Sequence, residues 1–148
     1  MTHDEIIRQF NLHRPACIQT LNGEVLAFSP EKGELAMQFE PGLNCCDSVD
    51  IVQGGFITAM LDAAMAHVVL AVEKFQVTVS SIDINVSFLR PTRAGKYVAV
   101  GSIVKLGKNI AYLKAELLDA QGELTASATS SAYLSRKTEK KSVGDAGA

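Results

Sequence analysis

The stretch GGFITAMLDAAMAHVVLAVEK, residues 54–74, decides the fold of this chain. Between Gln53 and Glu73 the only formally charged side chain is that of Asp62, and apolar residues lie on every side of a helix drawn through the stretch. A helix that is apolar all round is usually buried nearly all round. Because the rest of the chain is rich in strand patterns, we predict a sheet that wraps around one long buried helix.

The N-terminal residues predict a second, short helix. Thr2 is followed three positions later by Glu5, which is the spacing of a capping box. The apolar residues that follow recur on one side of a helix over residues 3–11. We expect this helix to end before Pro15, because a proline and its preceding residue disfavour the helical conformation.

Between the two helices the pattern changes to that of paired strands. Apolar bursts at 25–28 and 35–39 flank a Ser-Pro-Glu-Lys-Gly turn, which predicts a β-hairpin. The Asn22-Gly23 dipeptide has two interpretations from its residues alone: a second tight turn, or the start of the first strand. Residues 41–53 have the composition of a loop that leads to the long helix.

The part after the long helix predicts three or four strands separated by turns. Their approximate ranges are 77–90, 96–106, 109–119 and 123–134. In the first of these strands the apolar residues change from odd to even positions at Ser80-Ser81, which predicts a β-bulge there. After the change, the polar face is predicted to consist of Ser81, Asp83, Asn85 and Ser87.

Composition and charge describe one soluble domain. The chain has 148 residues, 47% of them hydrophobic, and a formal net charge of −2. This balance argues against nucleic acid as a partner and against a polybasic membrane anchor. No apolar run long enough to span a membrane is free of charge, and the N-terminus lacks a signal-peptide pattern, so we predict a cytoplasmic protein. We expect a single domain over 1–134 and a polar, disordered tail over 135–148.

The three cysteines do not suggest a disulfide framework or a metal site. Cys45 and Cys46 are adjacent, and neighbouring cysteines rarely bridge each other. A zinc site needs four suitably spaced ligands, which the three histidines do not complete. We predict reduced thiols that pack as small apolar residues, and no metal.

Asp62 is the first candidate for chemistry. A carboxylate in the middle of an apolar helix is costly to bury, and its burial is expected to raise its pKa toward that of a general base. Helical spacing places Thr58 and Gly54 on the same stripe, one and two turns earlier. The alternative is a structural aspartate at a subunit interface or bonded to backbone, and the helix alone does not decide between the two.

Gln53-Gly54-Gly55, at the start of the same helix, is the second candidate. Two glycines there leave N–H groups open to close approach, and the helix dipole adds positive potential suited to a developing oxyanion. The alternative is an ordinary tight turn into the helix. A Gly-Gly helix start followed by an acid two turns later favours the functional interpretation.

The segment VQGGFITAMLDAAMAH, residues 52–67, resembles the signature of the PaaI-like hotdog-fold thioesterases. In that family a His- or Gln-Gly-Gly precedes a helix that bears the catalytic acid, nine positions after the His or Gln; Asp62 lies nine positions after Gln53. Residues 80–95 and 104–134 resemble the family's later strands. The resemblance implies an α+β hotdog fold, with an antiparallel sheet of five or six strands around one helix, and it implies that Asn22-Gly23 begins a strand.

The resemblance also implies the hydrolysis of an acyl- or aryl-coenzyme A thioester. In this interpretation the Gly54 N–H polarises the thioester carbonyl, and Asp62 acts as general base on water or as nucleophile. Ser81 matches the serine that helps to hold the water. No cofactor is implied, because coenzyme A is part of the substrate.

Two positions depart from the family pattern. Gln53 replaces the usual histidine, and its amide donates a hydrogen bond but does not titrate. Asp47 stands where many members carry Asn, and an ionised carboxylate there would repel a departing thiolate. Either Asn44 has taken the role of that Asn, or the activity is weaker or altered.

Coenzyme A binding is implied at two basic turns and at the helix start. By resemblance, the binding residues are Gly55, Arg90, Pro91, Arg93, Lys105, Gly107, Lys108 and Asn109. Arginine and lysine beside loop N–H groups suit phosphates. Without the resemblance, ordinary solvated turn charge is the favoured explanation of the basic residues. His67 lies on a different helix face from Asp62, and we expect it to be packed and hydrogen-bonded.

The resemblance implies a homodimer or a homotetramer of two dimers, with active sites between subunits. In some members Gly54 and Asp62 would then belong to opposite chains of one site. Three alternatives remain open: a hotdog protein that binds acyl-coenzyme A without turnover, a structural protein in which Asp62 only satisfies an interface, and a hydratase. The sequence does not indicate the acyl group, for which Phe56, Met60 and Phe75 are candidate contacts.

Overall fold

The computed structural model describes residues 1–137. The helices are α1 (His3–Leu12), α2 (Ala16–Thr20) and α3 (Gly54–Val72), with a short 3-10 turn at Leu43–Cys45. The strands are β1 (Glu24–Ser29), β2 (Glu34–Phe39), β3 (Val77–Phe88), β4 (Tyr97–Leu106), β5 (Ile110–Leu118) and β6 (Leu124–Arg136). The tail predicted for 135–148 thus begins inside β6, and from residue 138 on it lies outside the described residues.

Within residues 1–137, the six strands form one antiparallel sheet in the order β1-β2-β4-β5-β6-β3, and α3 packs across this sheet. Helix and sheet approach each other closely at Gly101 of β4, where a Cβ atom would lie 2.6 Å from the carbonyl carbon of Ala64 on α3. Only glycine permits backbone to lie so near backbone. The predicted architecture, a sheet around one long helix, is confirmed.

The core lies between α3 and the inner face of the sheet. The helix contributes large side chains with almost no solvent exposure: Met60, Leu61, Met65, Val68 and Val69. The strands contribute Leu35, Met37, Phe39, Val77, Leu117 and Leu134. This burial of apolar area is the main favourable term that holds the helix on the sheet.

The N-terminal region differs from its prediction in one element. The capping box is confirmed, since the Thr2 hydroxyl accepts a hydrogen bond from the Glu5 N–H at 3.1 Å. The short helix α2 was not predicted. Asn22 follows it in the left-handed conformation (φ 51°), and β1 begins only at Glu24. The expectation that Asn22-Gly23 begins a strand is therefore wrong; the dipeptide turns the chain from α2 into β1.

The prediction that α3 is buried nearly all round is also wrong. One stripe of the helix, Gly55, Ala59, Asp62 and Ala66, is exposed or only half-buried, because the sheet covers one side of the helix. The helix is long and apolar enough to span a membrane, but its other side forms the core of the sheet. We call this stripe the open face of α3.

The cysteines are free, as predicted, but only Cys45 is buried. Cys46 is half-buried and Cys17 is exposed, so Cys17 does not pack as an apolar core residue. Within the described residues all three thiols lack a disulfide partner.

Candidate active site

The start of α3 is fixed by a hairpin-like loop and by the side chain of Gln53. Cys46 pairs with Val52 in an isolated bridge, and the Gln53 N–H donates to the Cys45 carbonyl at 2.9 Å. Gln53 is the N-cap residue, and its side-chain oxygen accepts a hydrogen bond from the Gly55 N–H at 2.7 Å. Its amide thus satisfies one of the free donors that begin a helix.

The Gly54 N–H is left available by this arrangement. Among the hydrogen bonds of residues 1–137, none uses this donor. It lies at the positive end of a 19-residue helix, where partial charge favours an anion. The Phe88 ring lies beside it, since a Cβ on Gly54 would be 3.3 Å from the ring carbon Cζ. The position therefore suits a donor to a developing oxyanion.

Gly54 opens on a groove of about 420 Å³ that the strand end after β3 completes. Its lining is mostly apolar: Ile51, Val52, Ile57, Phe88, Leu89, Arg90, Pro91 and Thr92. Thr92 is only 1% exposed, and its hydroxyl has no hydrogen-bond partner. Thr92 belongs to the Arg90-Pro91-Thr92-Arg93 turn, where the resemblance implied coenzyme A binding. Phe88 was not predicted to line a site, and the available signal was that it lies two residues before this turn.

The side chain of Asp62 is held by a hydrogen bond from Ser81, which lies on the sheet. The Ser81 hydroxyl donates to Asp62 Oδ1 at 2.7 Å, from β3 to the open face of α3. The predicted bulge is confirmed, since β3 pairs Ser81 with Ala132 and then Asp83 with Ser131, which leaves Ile82 as the extra residue. Because the shift follows Ser81, this serine lies on the helix side, and its predicted place on a polar face with Asp83 is wrong.

The structure separates Gly54 from Asp62 within one chain. Eight residues of α-helix place them about 12 Å apart along the helix axis. An oxyanion donor must lie about 3 Å from the carbonyl oxygen, and the attacking group about 3–3.5 Å from the carbonyl carbon. The two groups of one chain are therefore too far apart to act on the same carbonyl.

Asp47 and Asn44 lie in the loop that leads to α3. Both side chains are exposed. The Asp47 N–H donates to the Ile51 carbonyl at 3.1 Å, which closes the loop on itself. The Asn44 side chain lies 3.8 Å from the Cys45 sulfur. Both residues thus lie in the segment that leads to the start of α3, which the sequence predicted to be a loop.

Of the two basic turns, the first adjoins the groove. Arg90 and Pro91 line both the groove and a second cavity of about 570 Å³, which also contains Arg93 and Lys96. Arg93 donates to Asp50 at 2.8 Å, with both side chains exposed. An apolar groove beside the free Gly54 N–H therefore continues into a basic cavity.

The second basic turn lies at the other end of β4. Lys105, Gly107, Lys108 and Asn109 are separated from the first turn by most of that ten-residue strand, about 25 Å. Here Gly107 and Asn109 have local roles, since the Gly107 N–H donates to Ile110 and the Asn109 carbonyl accepts from Leu134. One chain thus does not bring the two basic turns to one ligand.

His67 is packed and hydrogen-bonded, as predicted. Its Nδ1 lies 2.7 Å from the Ala63 carbonyl, and its ring centroid is 4.7 Å from that of Phe10. Burial lowers the pKa of His67, although the hydrogen bond to Ala63 acts in the opposite direction. His67 takes no part in the arrangement around Asp62.

This chain is similar to a family model and to known proteins from two organisms. Residues 50–126 match the family model of the thioesterase superfamily. A candidate esterase of Thermoplasma acidophilum is 35% identical over 89 residues, which are 59% of this chain and 65% of that relative. The medium/long-chain acyl-CoA thioesterase YigI of Escherichia coli K12 is 26% identical over 124 residues, 75% of this chain and 80% of the relative. The match thus spans about two thirds of the archaeal relative's length.

Solved structures are similar over nearly the whole chain. A phenylacetic acid degradation-related protein of Ralstonia eutropha is 30% identical with a TM-score of 0.80, over 89% of this chain and 99% of that protein. The Escherichia coli PaaI protein has a TM-score of 0.76 over 89% and 95%, and at 16% identity it supports the fold alone. The chain therefore has the hotdog fold and belongs to the thioesterase superfamily, a family of thioester hydrolases.

Proposed function

We propose that this protein hydrolyses an acyl- or aryl-coenzyme A thioester to the free acid and coenzyme A. The observation that carries the proposal is the free Gly54 N–H, at a helix start, beside a groove that continues into a basic cavity. An N–H there suits the carbonyl oxygen, the groove suits an apolar arm, and Arg90 and Arg93 suit phosphates. The acyl-CoA thioesterase activity of the Escherichia coli relative supports the same substrate class.

Asp62 supplies the base or the nucleophile in this proposal. As a base, it takes a proton from a water whose oxygen adds to the thioester carbon; the C–S bond then breaks, and the thiolate of coenzyme A takes up a proton. As a nucleophile, its carboxylate attacks the thioester carbon, the C–S bond breaks and the coenzyme A thiolate leaves and takes up a proton; water then hydrolyses the resulting anhydride to the free acid and the Asp62 carboxylate. Ser81 donates its hydrogen to Asp62, so the serine oxygen is free to accept a hydrogen bond from that water.

The active site is proposed to combine two chains. The separation of about 12 Å along α3 means that Gly54 of one chain needs Asp62 of another. The open face carries the small residues Gly55, Ala59 and Ala66, which allow a second helix to approach closely. The long edge strand β3 also has neighbours on one side only within the described sheet. We therefore propose a homodimer, or a tetramer of two dimers. We also propose that the protein is cytoplasmic.

The second basic turn fits the same proposal. Lys105 and Lys108 lie about 25 Å from Arg90 along β4, so they would reach the coenzyme of a shared site from the partner subunit. Gly55 is proposed to contribute indirectly, because its N–H occupies the Gln53 side chain and so leaves the Gly54 donor free.

A second candidate function is the binding of acyl-coenzyme A without turnover. It is favoured by Gln53, whose amide oxygen is engaged in capping α3 and whose side chain does not titrate. It is also favoured by Asp47, whose exposed carboxylate would repel a leaving thiolate. Both candidates use the same groove and basic cavity.

Free-thiol release from short, long and aromatic acyl-coenzyme A substrates tests the proposal. We expect Asp62→Asn to lower kcat/KM by about 10²-fold or more, with folding and oligomer size unchanged. Asp4→Asn makes the same chemical change on the exposed first turn of α1, and it is expected to retain activity. Turnover that survives in Asp62→Asn contradicts the role of Asp62.

The same panel separates the two candidates. If wild type binds acyl-coenzyme A but releases no thiol from any substrate, the binding function replaces the enzymatic one. Asp47→Asn then reports on the cause, because an amide at this position no longer repels the thiolate. We expect this variant to raise kcat, and a fall in kcat would show that the carboxylate has its own role.

A further inference from the structure

A third cavity lies on the flank of α3, between the open face and the side that packs on the sheet. It has a volume of about 290 Å³ and lies between α1 and the C-terminal half of α3. Its walls are formed mainly by Phe10, Leu70 and Phe75, with His67, His13 and Gln9. It shares no lining residue with the groove at Gly54. The cavity is therefore a separate feature, and nothing in the proposed hydrolysis uses it.

The aromatic wall of this cavity is held in a defined arrangement. The Phe10 ring is 4.8 Å from the Phe75 ring in an edge-to-face contact at 62°, and 4.7 Å from the His67 ring at 31°. Phe75 has a φ of 63° and Lys74 a φ of 50°, both in the left-handed region. A bulky residue adopts that conformation only at an energetic cost, and such residues cluster at ligand sites.

His67 provides a hydrogen-bond acceptor in these apolar walls. The Ala63 carbonyl accepts only, so Nδ1 of His67 carries the hydrogen of their 2.7 Å contact. Burial lowers the pKa of this imidazole, which favours the neutral ring, in which Nε2 keeps its lone pair. Among the described residues, no hydrogen bond reaches Nε2. A ligand that enters the cavity thus meets aromatic surfaces and the Nε2 acceptor of His67, with the polar side chains of Gln9 and His13 also in the walls.

The position of His67 on α3 separates this acceptor from the catalytic acid. His67 follows Asp62 by five residues, which turns it about 140° around the helix axis. A molecule bound beside His67 therefore does not contact the Asp62–Ser81 pair of the same chain. The cavity's role is independent of whether Asp62 catalyses hydrolysis.

We propose that this cavity binds a small phenol, whose ring lies against Phe10 and Phe75 and whose hydroxyl donates to Nε2 of His67. The volume is at the lower end of the range for ligand pockets, which fits one substituted ring. Edge-to-face partners suit an aromatic guest better than an aliphatic chain.

Titration of the intact protein with 4-methylphenol, followed by NMR chemical shifts, tests this site. The matched probes are toluene, which lacks the hydroxyl, and 4-methylanisole, in which a methyl group replaces the hydroxyl hydrogen. We expect 4-methylphenol to bind about 2- to 10-fold more tightly than either control, the effect of one hydrogen bond. Equal affinities for the three compounds would overturn the proposal without any mutation.

Two variants locate the binding. His67→Phe retains a ring against Phe10 and removes the acceptor, so toluene should bind as before while the preference for 4-methylphenol disappears. Leu70→Trp fills the cavity, so all three probes should lose their affinity. Binding that persists in Leu70→Trp, or a phenol preference that survives His67→Phe, places the ligand elsewhere and contradicts the assignment.

Discussion

The two faces of α3 have similar apolar sequences and opposite surroundings. On the sheet side, Met60 and Leu61 have no solvent exposure, and Gly101 brings the backbone of β4 against that of Ala64. On the open face, Ala59 is exposed and Asp62 is half-buried, with Ser81 as its partner. The difference shows where each property of the protein lies. The sheet side carries the stability, and the open face together with the helix start carries the proposed chemistry.

The largest effect is expected at the helix start, from Gly54→Pro. Proline lacks an N–H, so this variant removes the proposed oxyanion donor, and we expect kcat to fall by about 10²- to 10³-fold. Gly54 is the first helical residue, where proline is well tolerated, and its donor takes part in no hydrogen bond of residues 1–137. The free energy of unfolding should therefore be almost unchanged. Thiol-release assays and urea denaturation measure the two quantities.

Gly54→Ala is the control, because alanine keeps the N–H and adds only a Cβ, 3.3 Å from the movable Phe88 ring. It should retain most of the activity. Equal losses in the two variants would mean that space rather than the donor matters at Gly54.

Mixing Gly54→Pro chains with Asp62→Asn chains tests the two-chain site. In a mixed dimer one site combines both wild-type residues and the other combines both substitutions. With random pairing, we expect recovery of about a quarter of wild-type activity from two nearly inactive proteins. Activity that stays at the level of the parents would place Gly54 and Asp62 of one site in the same chain.

On the sheet side, Gly101→Ala is expected to lower stability by about 3 kcal/mol. The added Cβ would lie 2.6 Å from the Ala64 carbonyl carbon, and neither backbone can move without displacing the helix from the sheet. The matched change on the open face is Gly55→Ala, whose Cβ would meet only the flexible end of Gln53. We expect that variant to stay within about 1 kcal/mol of wild type. Similar losses in urea denaturation would show that the two faces do not differ as described.

Local patterns in the sequence predicted the elements, and tertiary surroundings decided the rest. Two of these patterns depend only on neighbouring residues: the spacing of Gln53 and Asp62, and the change of apolar phase in β3. The structure confirms the helix that the first predicts and the bulge that the second predicts. The side on which Ser81 lies was predicted wrongly, because a bulge one residue later reverses the face of a strand residue. The left-handed Phe75 has no local signal, since packing against Phe10 overrides its conformational preference.

The open face was missed for a related reason. Apolarity all round a helix indicates burial, but it does not say whether the same chain or a second copy covers each side. Asp62 lies half-buried on this face, so the pattern of one chain does not indicate what covers its side chain. The proposed two-chain site is supported by the distance of about 12 Å between Gly54 and Asp62 along α3.

The smallest effect concerns two buried threonines, Thr92 in the groove and Thr125 in β6. Both are almost fully buried, but the Thr125 hydroxyl donates to the Leu117 carbonyl at 3.2 Å, whereas the Thr92 hydroxyl has no partner. Thr125→Val should therefore cost about 1 kcal/mol of stability, as for a lost hydrogen bond. Thr92→Val keeps the shape and removes an unpaired polar group, so stability should be unchanged or rise by up to about 1 kcal/mol. A loss at Thr92 equal to that at Thr125 in urea denaturation would mean that the Thr92 hydroxyl is bonded in the folded protein.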